Sequence, residues 1–437
     1  MSAPRPRMAA VALAAVAALA LTACGAGSRT GAQSAAKVSC DLGKPAQPVN
    51  VEVLAYNSSA IDPFTNTMVA SCSKNDVSVK HEPIDFGGQV QKTTATLAGD
   101  RGTYDILETY GFVIPQYAAE GKLRPLDEYV AKHAGKYGLD ALNKNMRAAM
   151  SYQGKLYGVP MQAQMYILAY RKDVFDKLGL KPPTTFAELR TVAGKIQSSG
   201  TMKYPLALPW LASADIVTAY DAALGSLGTN LVDAKTKRAN LDSPQSKQAL
   251  RELVSLKPFM SPQVTTFDQP AVQQQLFNGS AAMAIMFSGR MNDLVQQKNT
   301  RFYDKFAFAP PPTVAGGPYQ YSALSVDGWS IPQNAEADPD LLFQIIASSV
   351  SEDASKAALP AAYPAREGMV TASNSPFGAA ANDAIQKAPP AEPFPWTARI
   401  SNEVTPVVAD VILGKTPVDQ GAARMQQIAT KILADYR

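Results

Sequence analysis

The sequence predicts an α/β fold built on a parallel sheet, and three observations predict it. Val49, Val51, Val53 and Ala55 alternate with polar residues, and Val77-Ser78-Val79-Lys80-His81 alternates again, the period of two that a half-buried strand requires. A helix-like stretch reaching Met68 separates these runs, and another leads to the short apolar run Tyr104-Asp105-Ile106-Leu107. Strands and helices thus alternate as they do where helices cover a parallel sheet. Finally, 437 residues with 46% hydrophobic content suffice for two to three domains, with more than one buried core.

At the amino terminus, Arg5 and Arg7 precede fourteen uncharged residues, Met8 to Leu21, nearly all Ala, Val or Leu. A basic start followed by an apolar run shorter than the roughly 20 residues that cross a bilayer is the anatomy of a secretory signal. The run ends in Leu21-Thr22-Ala23-Cys24, which resembles the lipobox of bacterial lipoproteins. That resemblance implies a signal peptide over residues 1–23 and several acyl chains on Cys24, enough for stable anchoring. Residues 24–47 then read as the lipidated Cys and a flexible tether, small and polar from Gly25 to Val38. A chain so placed lies outside the cytoplasm, where thiols oxidise. With Cys24 assigned to lipid, Cys40 and Cys72 remain, and a disulfide between them would pin the segment before the first strand to the end of the first helix. Closing that loop stabilises by roughly 3 kcal/mol. Two buried free thiols are the alternative.

The same grammar continues beyond Gly158-Val159-Pro160. Lys181-Pro182-Pro183-Thr184-Thr185 breaks the chain, and Thr185 with Glu188 forms a capping box ahead of Leu189, Val192, Ala193 and Ile196, which share one helical face. Ala282 to Met286 and Phe306 to Ala309 read as later strands, the second stopped by Pro310-Pro311-Pro312. Thr416-Pro417 opens a last helix, whose Val418, Ala422, Met425, Ala429 and Ile432 recur at spacings of four and three. No internal repeat is evident.

Charge and reactive residues exclude several functions. Lys plus Arg number 41 against 37 Asp plus Glu, a net +4 with no run of five like charges, so there is no electrostatic footprint for nucleic acid. Three Cys and two His stand at no metal-ligand spacing, and no cofactor or metal is expected. G-x-S-x-G, the phosphate loop and H-E-x-x-H are absent; Ser71-Cys72-Ser73-Lys74 matches S-x-x-K without S-D-N or K-T-G. His81 and His133 read as solvated surface histidines. Paired carboxylates for glycoside hydrolysis stay open, because their pairing is spatial.

Several segments resemble the extracellular solute-binding lipoproteins of bacterial ABC transporters, in the carbohydrate-binding family similar to maltose-binding protein. They are Tyr104-Asp105-Ile106-Leu107 with Tyr117 to Asp127, Gly154 to Pro160 running into Leu168 to Phe175, Pro183 to Leu189, Phe277 to Met283, and Pro364-Ala365-Arg366. They cover the chain from about residue 48 in family order. The resemblance implies a two-lobed periplasmic-binding-protein fold (type II, Venus-flytrap) with the ligand cleft between the lobes. One lobe would comprise 48–160 plus 310–361 and the other 164–308 plus 365–437. Hinge crossings would fall near 161–164, 309–312 and 360–364. The implied protein is a monomer, not an enzyme. It sits on the outer face of the cytoplasmic membrane and delivers a carbohydrate or polyol to ABC permease subunits driven by a cytoplasmic ATPase.

A sugar site asks for aromatic faces against C–H surfaces and polar side chains for hydroxyls. Trp210, Trp329 and Trp396, the only tryptophans, fall where the family puts cleft loops, core packing being the alternative for each. Polar and further aromatic candidates are Asn57 and Ser58 after the first strand, Thr109 and Tyr110 after the third, and Gln164 and Tyr166 at the first crossing. Phe287, Ser288 and Arg290 follow a later strand; Asp327 and Gly328 precede Trp329; Tyr363 and Arg366 flank the third crossing. Gln164 stands where maltose-binding protein carries an acidic residue. Asp327 and Arg366 could form bidentate bonds to vicinal hydroxyls. For Arg290 and Arg366 an interlobe salt bridge or a phosphate-bearing ligand is the alternative. The rival function is a lipid-anchored glycan hydrolase; a phosphorylated sugar, peptide or polyamine is the rival ligand.

Overall fold

The alternating run at residues 49–55 forms strand β1 (Val49–Leu54), which pairs in parallel with β2 (Val77–His81) and β3 (Ile106–Tyr110). Helices Asp62–Cys72 and Phe86–Ala98 make the crossovers that parallel strands need. In this computed structural model residues 35–392 and 394–436 are described, so the signal segment and Cys24 lie outside the described residues.

Past the two-residue strands β4 (Ser151–Tyr152) and β5 (Lys155–Leu156), β6 (Val159–Gln164) runs almost unbroken into β7 (Tyr166–Arg171). β8 (Leu206–Ala207), β9 (Met283–Phe287), β10 (Phe306–Ala309) and β11 (Ser325–Ser330) follow. They assemble two large sheets, in the orders β2-β1-β3-β11-β6 and β10-β7-β9-β8, with β4 and β5 forming a separate two-stranded sheet. Neither large sheet is wholly parallel: β11 lies antiparallel between β3 and β6, and β7 is antiparallel to both β10 and β9. A period-two run fixes which residues face the core and leaves strand direction open.

Each large sheet carries a lobe with its own buried centre. The first packs Phe64, Trp329 and Phe343; the second packs Phe186, Trp210 and Tyr220. β7 shows why both faces of the second sheet are apolar: Ile167 and Ala169 face one core, Tyr166 and Leu168 the other. Helix Phe186–Ser198 begins as the capping box requires, Glu188 N–H donating to Thr185 Oγ1 at 3.2 Å, and buries Leu189, Val192, Ala193 and Ile196. Helix Val418–Ala434 buries Ala422, Met425, Ala429 and Ile432 in the second lobe.

The chain passes between sheets at Met165 and again through residues 310–324. Residues 363–365 stay beside β6, where Ala163 N–H donates to Tyr363 O and Ala365 N–H to Met161 O, both at 2.9 Å. Residues 363–365 therefore pair with β6 of the first sheet.

Cys40 and Cys72 are bridged, with Cα atoms 5.3 Å apart, tying the segment before β1 to the last turn of helix Asp62–Cys72. His133 departs from the surface expectation. It is 7% exposed, stacks on Phe343 and meets Asp340 Oδ1 at 2.8 Å, because its helix Asp127–Tyr137 packs against helix Pro339–Ser349. His81 is half-buried, and burial pushes its pKa down. No helix among the described residues is long and apolar enough to cross a membrane.

Candidate functional site

The parallel strands β1 and β3 end side by side next to the Met165 crossing, the position where open α/β sheets place ligand crevices. Opposite residues in a ladder share a face. Asp327 lies opposite both Tyr110 and Gln162, Trp329 opposite Glu108, and Ser325 opposite Gln164. One face of the first sheet therefore presents Glu108, Tyr110, Gln162, Gln164, Ser325 and Asp327.

Asp327 is fully buried, and among the described residues neutral donors hold it. Gln164 Nε2 (2.6 Å) and Gln162 Nε2 (3.1 Å) donate to its Oδ2, and Ser325 Oγ (2.8 Å) to its Oδ1. Burial raises its pKa and these three bonds oppose the rise. Glu108 is 1% exposed, and its Oε2 accepts from Tyr56 N–H at 2.7 Å. Burial first, then the charges of Asp327 and Asp62, hold its pKa well above the usual carboxylate range. Glu108 Oε1 and Gln162 Oε1 are buried acceptors that complete no hydrogen bond.

Four rings line the mouth of this face: Tyr56 edge-on to Phe86 (centroids 6.0 Å), Phe86 beside Tyr110 (5.7 Å), and Tyr110 stacked on Phe112 (5.5 Å). Phe86 and Phe112 are 42% and 48% exposed. Gln89 fixes the row, donating to Glu108 O at 2.9 Å and accepting from the Tyr110 hydroxyl at 3.4 Å.

The second lobe answers with Phe287, Ser288, Gly289 and Arg290. Ser288 N–H donates to Met165 O (2.9 Å), and Ser59 Oγ of the first lobe donates to Gly289 O (3.3 Å). Arg290 is 4% exposed, lies over the Tyr56 ring at 5.7 Å and donates to Gln273 Oε1 at 3.3 Å. Burial lowers its pKa to about 10, with Asp293 opposing the drop. Asp215, which accepts from Gln269 at the start of helix Asp215–Ser226, is pushed by burial up to about 7.

Among the residues read from the sequence, Tyr110, Gln164, Phe287, Ser288, Arg290 and Asp327 come together here. Asn57 and Ser58 border the site but build the turn into helix Asp62–Cys72: Ser58 N–H donates to Asp62 Oδ1, and the Asn57 amide, turned to match its neighbours, donates to both Asp62 oxygens. Thr109 points to the opposite face and shares a 2.7 Å hydrogen bond with Ser330. At Gly328, a Cβ would meet Val159 O at 2.5 Å, so the glycine serves close strand approach at a bulge. Tyr166 is buried against Phe287 and Tyr321.

Trp210 and Trp329 are each 0% exposed within their cores, and Trp396 packs against the second core, stacking on Phe394 beside Lys237 and Tyr436. Tryptophan's large apolar area packs as readily in a core as on a sugar. Tyr363 donates to Asn382 Oδ1 at 2.7 Å. Arg366 forms neither an interlobe salt bridge nor a cleft contact. Its guanidinium donates to the carbonyls of Tyr137 (2.7 Å), Gly138 (2.9 Å) and Val350 (2.8 Å), closing the carboxyl ends of two helices.

Tyr56, Phe86, Gln89, Glu108, Phe112 and Gln162 were not singled out by the sequence. The available signal was Glu108, a charge directly after the apolar pair Ile106-Leu107 within the third strand, together with the two glutamines of β6. No group of three or more His, Cys, Asp or Glu among the described residues is placed to hold a metal ion.

The family model for the bacterial extracellular solute-binding protein matches residues 64–356, more than half of the chain. A binding protein of Brucella abortus is 26% identical over 279 residues, covering 62% of this chain and 65% of that relative, so the match spans slightly less than two thirds of it. The maltotriose-binding protein of Pyrococcus abyssi is 28% identical over 173 residues, 39% of this chain and 35% of its own length. Among solved structures, an ABC transporter solute-binding protein of Agrobacterium radiobacter in complex with ribitol superposes with a TM-score of 0.79 at 21% identity, over 89% of this chain and 100% of that one. Together with the two-sheet architecture, the family match places the chain among the bacterial extracellular solute-binding proteins.

Proposed function

We propose that this protein is the substrate-binding lipoprotein of an ABC importer, capturing a carbohydrate or polyol between its two lobes and delivering it to a membrane permease. The observation that carries the reading is the row of buried polar side chains, Glu108, Gln162, Gln164 and Asp327, beneath a partly exposed aromatic row at the lobe crossing. Acceptors under flat rings suit a ligand that donates many hydroxyls and offers C–H faces. A maltotriose-binding relative and a ribitol-bound structural neighbour support that ligand class.

Closure is a population shift: a ligand that touches both lobes favours the state in which they meet, with the crossings at Met165, residues 310–324 and the segment after Arg366 as hinges. The signal run and lipobox support a mature chain on the outer face of the cytoplasmic membrane, anchored at Cys24, and the reading takes it as a monomer. Hydrolysis is disfavoured because protein donors already engage both oxygens of Asp327. A ligand that binds only the native state raises Tm, by about 2.7 kcal/mol of stability at a hundredfold excess over Kd. A thermal-shift panel of sugars and polyols, followed by calorimetry, should return at least one binder. A panel giving neither shift nor heat would refute the assignment.

A further inference from the structure

The cleft holds carboxylates that no cation answers. Glu108 and Asp327 are 1% and 0% exposed, and neither takes part in an ion pair among the described residues. Among the described residues Asp327 is held by two amides and a hydroxyl and Glu108 by the Tyr56 N–H and the Tyr110 hydroxyl, all uncharged donors, while the neighbouring Gln162 Oε1 completes no hydrogen bond. The cation across the cleft does not balance them, because Arg290 sits beside its own counter-charge Asp293 and bonds Gln273. Burying a carboxylate without a cation is costly, and an acceptor left bare adds to the cost. An ammonium carries both missing elements, a positive charge and three donors.

Resting on the carbohydrate reading above, we infer that the ligand is a polyhydroxylated amine, an amino sugar or amino polyol, with its ammonium against Asp327, Glu108 and Gln162 Oε1. Its hydroxyls meet Gln164 and Arg290, and its C–H surface lies on Tyr56 and Tyr110. The same uncompensated carboxylates select against sugar phosphates and uronates, which would bring like charge into a buried site. Burial first, and then the charges of Asp327 and Asp62, raise the pKa of Glu108.

Calorimetry on matched pairs tests this: glucosamine with glucose, galactosamine with galactose, glucamine with sorbitol, and glucose 6-phosphate and spermidine as the anionic and hydroxyl-free arms. At least one amine should bind about tenfold or more tightly than its neutral parent. In Asp327→Asn that ratio should fall to about one, and the isosteric Glu108→Gln should shrink it without unfolding the chain. Neutral parents equal to or tighter than every amine, tightest binding by glucose 6-phosphate, a ratio that survives both substitutions, or spermidine matching the amino sugars would each overturn the inference. Binding of neutral parents alone defeats this inference and spares the carbohydrate reading, whereas no binding by any sugar, polyol or amine defeats both.

Discussion

Arg366 and Asp327 are both charged and buried, yet their partners give them different roles. The Arg366 fork is spent on three backbone carbonyls at two helix ends, so its removal should damage the fold and leave the cleft alone. Arg366→Ala strands buried carbonyls and should cost about 3 kcal/mol of stability in denaturant titration. Arg366→Lys should recover little of that, since an ammonium cannot reproduce the planar fork. Ligand affinity should hold in whatever fraction remains folded, and an affinity loss without a stability loss would contradict the assignment. The aromatic residues divide in the same way. Tyr110, itself buried, is stacked on the exposed Phe112 in the row above the polar face, so Tyr110→Ala should weaken ligand binding by about tenfold, the scale of an aromatic contact. Trp396→Ala, changed where the ring stacks on Phe394 against the second core, should leave affinity unchanged by calorimetry. The sequence offers Tyr110, Asp327, Arg366 and Trp396 alike as candidates, because residue type says what a side chain can do, while only burial and neighbours say what it meets.

At the level of elements, the sequence was legible wherever a local rule decided the outcome. Thr185 caps its helix as read, Val418 to Ile432 give the last helix its buried face, and Phe306–Ala309 forms a strand with the bounds its prolines suggest. Pairing direction, the insertion of β11 between β3 and β6, and the stay of residues 363–365 beside β6 depend on contacts between distant segments, which periodicity does not encode. The turn Ser288-Gly289-Arg290 is another such case, and it carries the contact between lobes. A Cβ on Gly289 would stand 2.6 Å from Gln164 Oε1 and 3.1 Å from Ala60 Cβ. The glutamine end can swing aside, but Ala60 sits on the first lobe's turn and yields only if the lobes separate. Gly289→Ala should therefore hold the lobes apart, lowering ligand affinity several-fold and enlarging the radius of gyration of the liganded protein in small-angle scattering. Its ligand-free Tm should stay near that of the parent. Unchanged affinity would mean that the lobes do not approach at this turn.

The whole molecule buries several carboxyl groups in its interior, and that sets how its stability follows pH. Burial raises Asp215, Asp221 and Glu392 to about 7, with Asp221 adding repulsion at Glu392 and Asp268 at Asp215. Asp221 accepts from Ser401 Oγ at 3.0 Å and Glu392 from Leu231 N–H at 2.6 Å. An acid raised in the folded state keeps its proton after the unfolded chain has released it. Between about pH 4 and about pH 7, then, the fold binds more protons than the unfolded chain, and stability falls as pH rises through that window. Two opposing sets are smaller or lie elsewhere. Asp173, held low first by its bond from Arg171, and Asp340, held low by Lys132 and His133 against its burial, lose their stabilisation only as pH falls below the ordinary carboxylate range. His81, pushed down by burial, gains stability as pH rises toward 6.5, but it is one group against three. Calorimetric Tm should therefore decline from pH 5 to pH 8 in ligand-free protein, and Asp221→Asn should remove part of the slope by deleting one titrating carboxyl and relieving Glu392. A Tm that climbed over that range, or a slope indifferent to Asp221→Asn, would show that these carboxyls ionise without cost in the folded protein.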